Sequence, residues 1–185
     1  KLSKTLLIFG TIVGAFCVTK LLKKPPNCFL VMRLLLFNLI IEFCTSYNFP
    51  NYYESNCVKS LHTIITHTTT FKLTKKDLKE IYIVYPNFYQ LREVNSPRMK
   101  GAVYNLVKNK YATEIPITKL QAGDIIQFWT PSWGHCGIFV KYGKTKQTVW
   151  LYSSMPNTNF GLMEFSITSQ FYACRIKNQF LKSSL

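Results

Sequence analysis

The stretch QAGDIIQFW (residues 121–129), followed after a short loop by GHCGIFV (134–140), decides the fold. Both segments are rich in β-branched and aromatic residues and are bounded by glycine or proline, which is typical of strands joined by turns. Three segments further along the chain have the same character. The last third of the chain is therefore predicted to form an antiparallel sheet from residues 125–129, 137–142, 148–152, 162–165 and 171–176.

The chain before these strands shows helical spacing of apolar residues. Four of them predict a helix from about Cys57 to His67, namely Val58, Leu61, Ile64 and Ile65. Residues 29–43 predict an earlier helix packed on the core, with a second membrane helix as the alternative, and residues 98–110 predict a later helix. Residues 75–89 are mixed, and Pro86-Asn87 marks a turn. Helices followed by an antiparallel meander are typical of the α+β class.

The first 24 residues have the composition of an export signal or a membrane anchor. Lysines lie at both ends of an apolar run, and the run is shorter than the roughly 20 residues that a full membrane span needs. We expect a signal-like or anchor segment over residues 1–24, with membrane association through residues 5–18. One globular domain is expected over residues 25–185, exported or anchored in the cell envelope on the periplasmic or extracellular side.

The charge balance favours anionic partners, because 23 Lys and Arg oppose 8 Asp and Glu to give a net charge of +15. The basic residues are scattered and match no RNA-binding signature, so nucleic acid is not an expected partner. The six cysteines include no C-x-x-C pair, which argues against a zinc ribbon or a redox motif. No metal and no cofactor is expected, and pairing among Cys28, Cys44 and Cys174 stays open.

Cys57 and His135 lie where a thiol hydrolase needs its nucleophile and its base. Cys57 follows Ser55-Asn56, residue types that cap helices, so the helix dipole is expected to favour its thiolate. His135 starts a strand between two glycines that permit close approach of a substrate. Asp124 is either a carboxylate that orients His135 or a structural turn residue, and its turn position favours the structural role.

The loop-Cys57-helix segment, the Gly-Asp-Ile-Ile-Gln-Phe strand and the Gly-His-x-Gly-Ile-Phe-Val strand together resemble the NlpC-type cell-wall peptidases, papain-like thiol hydrolases of bacteria. The resemblance covers roughly residues 45–176. It implies a papain-like α+β fold with N-terminal helices packed on an antiparallel sheet, Cys57 as nucleophile and His135 as base. In place of the family's Asp-Cys-Ser-Gly box this chain has Asn-Cys-Val-Lys over residues 56–59.

The resemblance also implies a third polar residue on the strand after the histidine strand. Ser154 or Tyr152 could hold the imidazole there, Asn157 and Asn159 are fallbacks, and a Cys-His dyad without an orienter is the alternative. The implied substrate is an amide bond of a peptidoglycan stem peptide. The residues implied for substrate binding are Tyr53, Trp133 and Tyr152.

Three other functions stay open at this stage. A catalytically idle module on the same fold could bind wall peptide or a protein partner. A papain-like acyltransferase could act on lipid, although such relatives carry histidine before cysteine and this chain has the reverse order. A toxin-like amidase would use the same site with a different delivery route.

Overall fold

The structure is a computed structural model that describes residues 38–182. The predictions for residues 1–24, and most of the helix predicted over residues 29–43, fall outside the described residues. Between residues 38 and 182, no helix has the length and hydropathy needed to cross a bilayer.

Five helices precede or flank the sheet in the described part of the chain. They are α1 (38–46), α2 (Cys57–Thr68), α3 (Lys75–Ile81), α4 (Tyr85–Glu93) and α5 (Gly101–Lys108). The predicted start of α2 at Cys57 is confirmed. The turn predicted at Pro86-Asn87 is wrong, because Pro86 lies in the first turn of α4, where its missing N–H has no intrahelical acceptor to lose.

Six strands form one antiparallel sheet: β1 (Ala112–Ile115), β2 (Ile125–Trp129), β3 (Gly134–Tyr142), β4 (Thr148–Met155), β5 (Asn159–Ser166) and β6 (Gln170–Ile176). Their order in space is β1-β6-β2-β3-β4-β5. The α+β class and the five predicted strands are confirmed. The edge strand β1 was not predicted, since its four residues carry no apolar alternation and it forms by pairing with β6.

The sheet has a core on each face. On one face Ile125, Cys136 and Ile138 pack with apolar residues of α2 and α5. On the other face the strands supply a second cluster that includes Phe128 and Phe139. Since successive side chains of a strand point to opposite faces, His135 and Cys136 of β3 belong to different faces. This alternation decides which neighbours each of them can have.

Asp124, just before β2, has a structural role. Its carboxylate is 1% exposed and accepts hydrogen bonds from Arg175 Nε at 2.8 Å, Arg175 Nη2 at 2.8 Å and Gln121 N at 2.6 Å. These bonds join β6 to the turn that starts β2. The structural reading of Asp124 therefore agrees with its contacts.

Replacing Asp124 by alanine is expected to lower the free energy of unfolding by about 3 kcal/mol, because the Arg175 guanidinium loses its buried partner. Urea denaturation followed by circular dichroism measures the change. Glu114→Gln is the matched control, since the Lys100–Glu114 pair is more exposed than Asp124 and should contribute less than about 1 kcal/mol. Equal losses in both variants would contradict the structural role of Asp124.

Candidate active site

Cys57 is the first residue of α2, and the helix start is capped. The side chain of Asn56 accepts a hydrogen bond from Lys59 N at 3.1 Å. Backbone N–H groups in the first turn of a helix have no intrahelical acceptor, and they point in the direction that favours an anion. The local sequence thus places a thiol where its thiolate is stabilised.

The loop before Cys57 is held by side-chain amides. Asn51 Oδ1 accepts hydrogen bonds from Tyr53 N at 3.0 Å and Glu54 N at 3.2 Å. Asn159 Oδ1, from the start of β5, accepts a hydrogen bond from Tyr52 N at 3.1 Å. The position of Tyr52 beside the nucleophile is therefore fixed from within the loop and from the sheet.

Ser154 attaches the same loop to β4. Its buried hydroxyl donates to Ser55 O at 2.8 Å, and the Ser60 hydroxyl donates to that carbonyl at 3.2 Å. Ser55 lies two residues before Cys57, so these bonds fix the position from which α2 starts. Ser154 positions the nucleophile segment.

His135 lies in a box of aromatic rings at the start of β3. Its ring centroid is 5.1 Å from that of Phe165 and 5.7 Å from those of Phe128 and Trp133. The side chain is 3% exposed, and its Nε2 atom has no hydrogen-bond partner among the described residues. The imidazole is held by packing against these rings. Its Nε2 has no polar side chain to orient it in the described part of the chain.

The residues predicted to orient His135 do not contact its Nε2 in this structure. Tyr152 pairs with Ile138 in the β3–β4 register, so Tyr152 and Ser154 lie on the helix-facing side of the sheet, opposite to His135. Ser153 shares the side of His135, but its hydroxyl donates to Cys136 O at 2.5 Å. The fallback residue Asn159 uses its Oδ1 on the loop.

Cys57, His135 and Cys136 line one cleft of about 210 Å³. Trp133, which was predicted to contact the substrate, lines this cleft and is 37% exposed. The rest of the described lining is as follows: Tyr52, Asn56, Val58, Ile81, Tyr82, Ile83, Val84, Gln127, Trp129 and Gly134.

Two predicted substrate-binding residues lie elsewhere. Tyr53 is 86% exposed and does not line the cleft, whereas its neighbour Tyr52 does. The turn closed by Asn51 reverses the chain at this point, which sequence spacing could not show. Tyr152 stacks on Phe160 and packs against the helix-side core.

The surroundings of Cys57 favour its thiolate. The pKa of the thiol is held well below its usual range, first by a hydrogen bond from the Cys136 thiol. Burial acts in the opposite direction, and a hydrogen bond from His135, the positive charge of His135 and the Cys136 backbone N–H lower the pKa further. At the Cys57 sulfur, the hydrogen-bond donors and the positive charge lower the pKa by more than burial raises it.

Cys136 is the site residue that sequence reasoning missed. Its pKa is raised well above the usual range by the neighbouring Cys57 sulfur and by burial, so the thiol keeps its proton and can donate it as a hydrogen bond. The sequence feature that could have identified Cys136 is its position next to His135 in a predicted strand. Because side chains alternate along a strand, Cys136 points toward α2. Cys44, Cys57, Cys136 and Cys174 are free thiols.

Protein-family models, curated proteins and solved structures were compared with the chain, and none matched. Between residues 38 and 182, no group of three or more His, Cys, Asp or Glu side chains converges as a metal site would require. The chemistry of the cleft therefore has to be argued from Cys57, His135 and their neighbours.

Replacing Cys136 by alanine is expected to raise the pKa of Cys57, because the thiolate loses the donor that lowers it most. The pH at which iodoacetamide alkylates Cys57 at half its maximal rate, followed by peptide mass spectrometry, should move to higher values. Cys136→Ser, which keeps a donor, should shift the profile less. An unchanged profile in Cys136→Ala, matching the control Cys174→Ala, would contradict the role of Cys136.

Replacing Ser154 by alanine is expected to lower the free energy of unfolding by about 1 to 2 kcal/mol, since one buried hydrogen bond to the Ser55 carbonyl is lost. Urea denaturation measures this loss. The pH profile of Cys57 alkylation should keep its shape, because Ser154 does not contact the imidazole and the bonds of Ser60 and Asn159 still hold the loop. An altered pH profile with unchanged stability would instead favour Ser154 as the orienter of His135.

Proposed function

We propose that this chain is a cysteine amidase or endopeptidase with a papain-like, NlpC-type fold. One observation carries the proposal: a single cleft holds a thiol of lowered pKa at a helix start beside an imidazole. Nucleophilic catalysis by cysteine needs a thiolate and a neighbouring acid-base group. The cysteine precedes the histidine in the chain, as in the ordinary members of the family that the sequence resembles.

The proposed reaction has two stages. The Cys57 thiolate attacks the amide carbonyl, and His135 gives its proton to the leaving amine, which leaves an acyl group on the sulfur. Water then attacks the thioester, with His135 accepting its proton, and releases the acid. In this proposal the Cys57 backbone N–H, at the start of α2, donates to the oxyanion that forms at each stage.

The site functions as a dyad in this proposal. The rings of Phe128, Trp133 and Phe165 restrict the orientation of the imidazole, which in a triad is the task of a polar residue. Packing restricts the ring and the imidazole donates to Cys57, but Nε2 lacks, among the described residues, the hydrogen-bond partner that a triad would supply. The absence of a partner for Nε2 among the described residues is what supports the rival proposal, a catalytically idle binding module.

The proposed substrate is an amide of a peptidoglycan stem peptide, on the strength of the sequence resemblance. The net charge of +15 is consistent with an anionic wall polymer as partner. An exported or membrane-anchored location in the cell envelope belongs to the same proposal.

Digestion of purified peptidoglycan with wild-type protein should release peptides that mass spectrometry identifies. Cys57→Ala should reduce release by at least about 1000-fold, because it removes the nucleophile, and His135→Ala should reduce it strongly. Cys44→Ala and His62→Ala are the matched controls, since neither residue lines the cleft. Equal release by wild type and Cys57→Ala would rule out the thiol mechanism, and binding without release would favour the idle module.

A further inference from the structure

The cleft contrasts with the rest of the molecule in its charge. The chain carries a net charge of +15, yet no Asp, Glu, Lys or Arg among residues 38–182 lines the cleft. Apart from the reacting Cys57 and His135 and the thiol of Cys136, the described lining is aliphatic, aromatic or amide. The charge that could attract an anionic polymer therefore lies outside the cleft.

Charged side chains adjacent in sequence to the lining are engaged elsewhere. Lys59 follows Val58, and its Nζ donates to Glu54 O at 2.8 Å. Glu80 precedes Ile81, and its carboxylate accepts hydrogen bonds from Lys108 at 2.7 Å and from the Asn105 side chain at 2.5 Å. Glu80 is thus paired with Lys108, and neither Lys59 nor Glu80 lines the cleft.

Part of the cleft wall presents apolar surface to a ligand. Ile81 ends α3, and the extended segment that follows it carries Tyr82, 54% exposed, and Val84, 45% exposed. Trp133, which lines the same cleft, is 37% exposed. Large apolar side chains left partly exposed beside a nucleophile gain stabilisation when a substrate covers them.

We propose that the substrate residue bound in this cleft is uncharged and apolar. The inference rests on the proposed function and specifies its substrate class. Apart from the reacting Cys57–His135 pair, a substrate carboxylate or ammonium group would lose its hydration here without gaining an ionic partner from the described lining, whereas an apolar side chain would bury surface against Tyr82, Val84 and Trp133.

The size of the cleft is sufficient for a single side chain. Its volume of about 210 Å³ exceeds the roughly 150 Å³ of an engineered cavity that admits benzene, and it lies below the range typical of drug-sized ligands. A side chain between alanine and phenylalanine in size fits. Since glutamate falls within this size range, charge and not size sets the proposed preference for stem-peptide amides next to alanine over those next to glutamate or a diamino acid.

Peptidyl chloromethyl ketones that differ only in the residue next to the reactive group test this selection directly, since they alkylate a catalytic thiol without turnover. The second-order rate of Cys57 labelling, measured by peptide mass spectrometry, should be about 100-fold higher for alanyl, leucyl or phenylalanyl reagents than for glutamyl or lysyl reagents. Faster labelling by a charged reagent would overturn the inference and leave the thiol mechanism standing. Failure of all reagents to label Cys57 would overturn both.

Val84→Lys adds a charge to the wall at a partly exposed position, so the fold should tolerate it. Labelling by the leucyl reagent should slow and labelling by the glutamyl reagent should accelerate, which reduces the ratio of the two rates by about tenfold or more. Val94→Lys is the matched control, because Val94 is 73% exposed and does not line the cleft. Equal ratios in the two variants would contradict the assignment of this wall.

Discussion

The attachment of the Cys57 loop to the sheet is the constraint on which the rest of the site depends. Ser154 of β4 donates to Ser55 O, and Asn159 of β5 accepts from Tyr52 N, so two neighbouring strands fix the segment that leads into α2. The helix start, and with it the sulfur of Cys57, therefore has a defined position relative to β3. A thiolate and its base can work together only when their separation is set in this way.

The alternation of β3 gives Cys57 two different neighbours. His135 lies among the rings on one face of the sheet and contributes positive charge and a hydrogen bond. Cys136 lies on the helix side and contributes the thiol that lowers the pKa of Cys57 most. Burial alone would raise that pKa, so the lowered value depends on these donors. The wall formed by Tyr82, Val84 and Trp133 accounts for the proposed substrate preference.

Local patterns were sufficient to predict the α+β class, five strands and the start of α2, because β-branched runs, turn residues and the Asn56 cap act over a few residues. Features that depend on register were not predictable. Tyr152 or Ser154 was expected to hold His135, but only the pairing of β4 with β3 shows that both turn away from it. The loop conformation, set by side-chain amides, decides that Tyr52 and not Tyr53 lines the cleft.

The central claim is that the pKa of Cys57 lies well below that of an ordinary cysteine. The absorbance of thiolate near 240 nm, recorded against pH as the difference between wild type and Cys57→Ala, reports its ionisation directly. The account predicts a midpoint well below the value of about 8.5 for an ordinary cysteine, and a higher midpoint in His135→Phe. A midpoint at or above 8.5 in the wild type would contradict it.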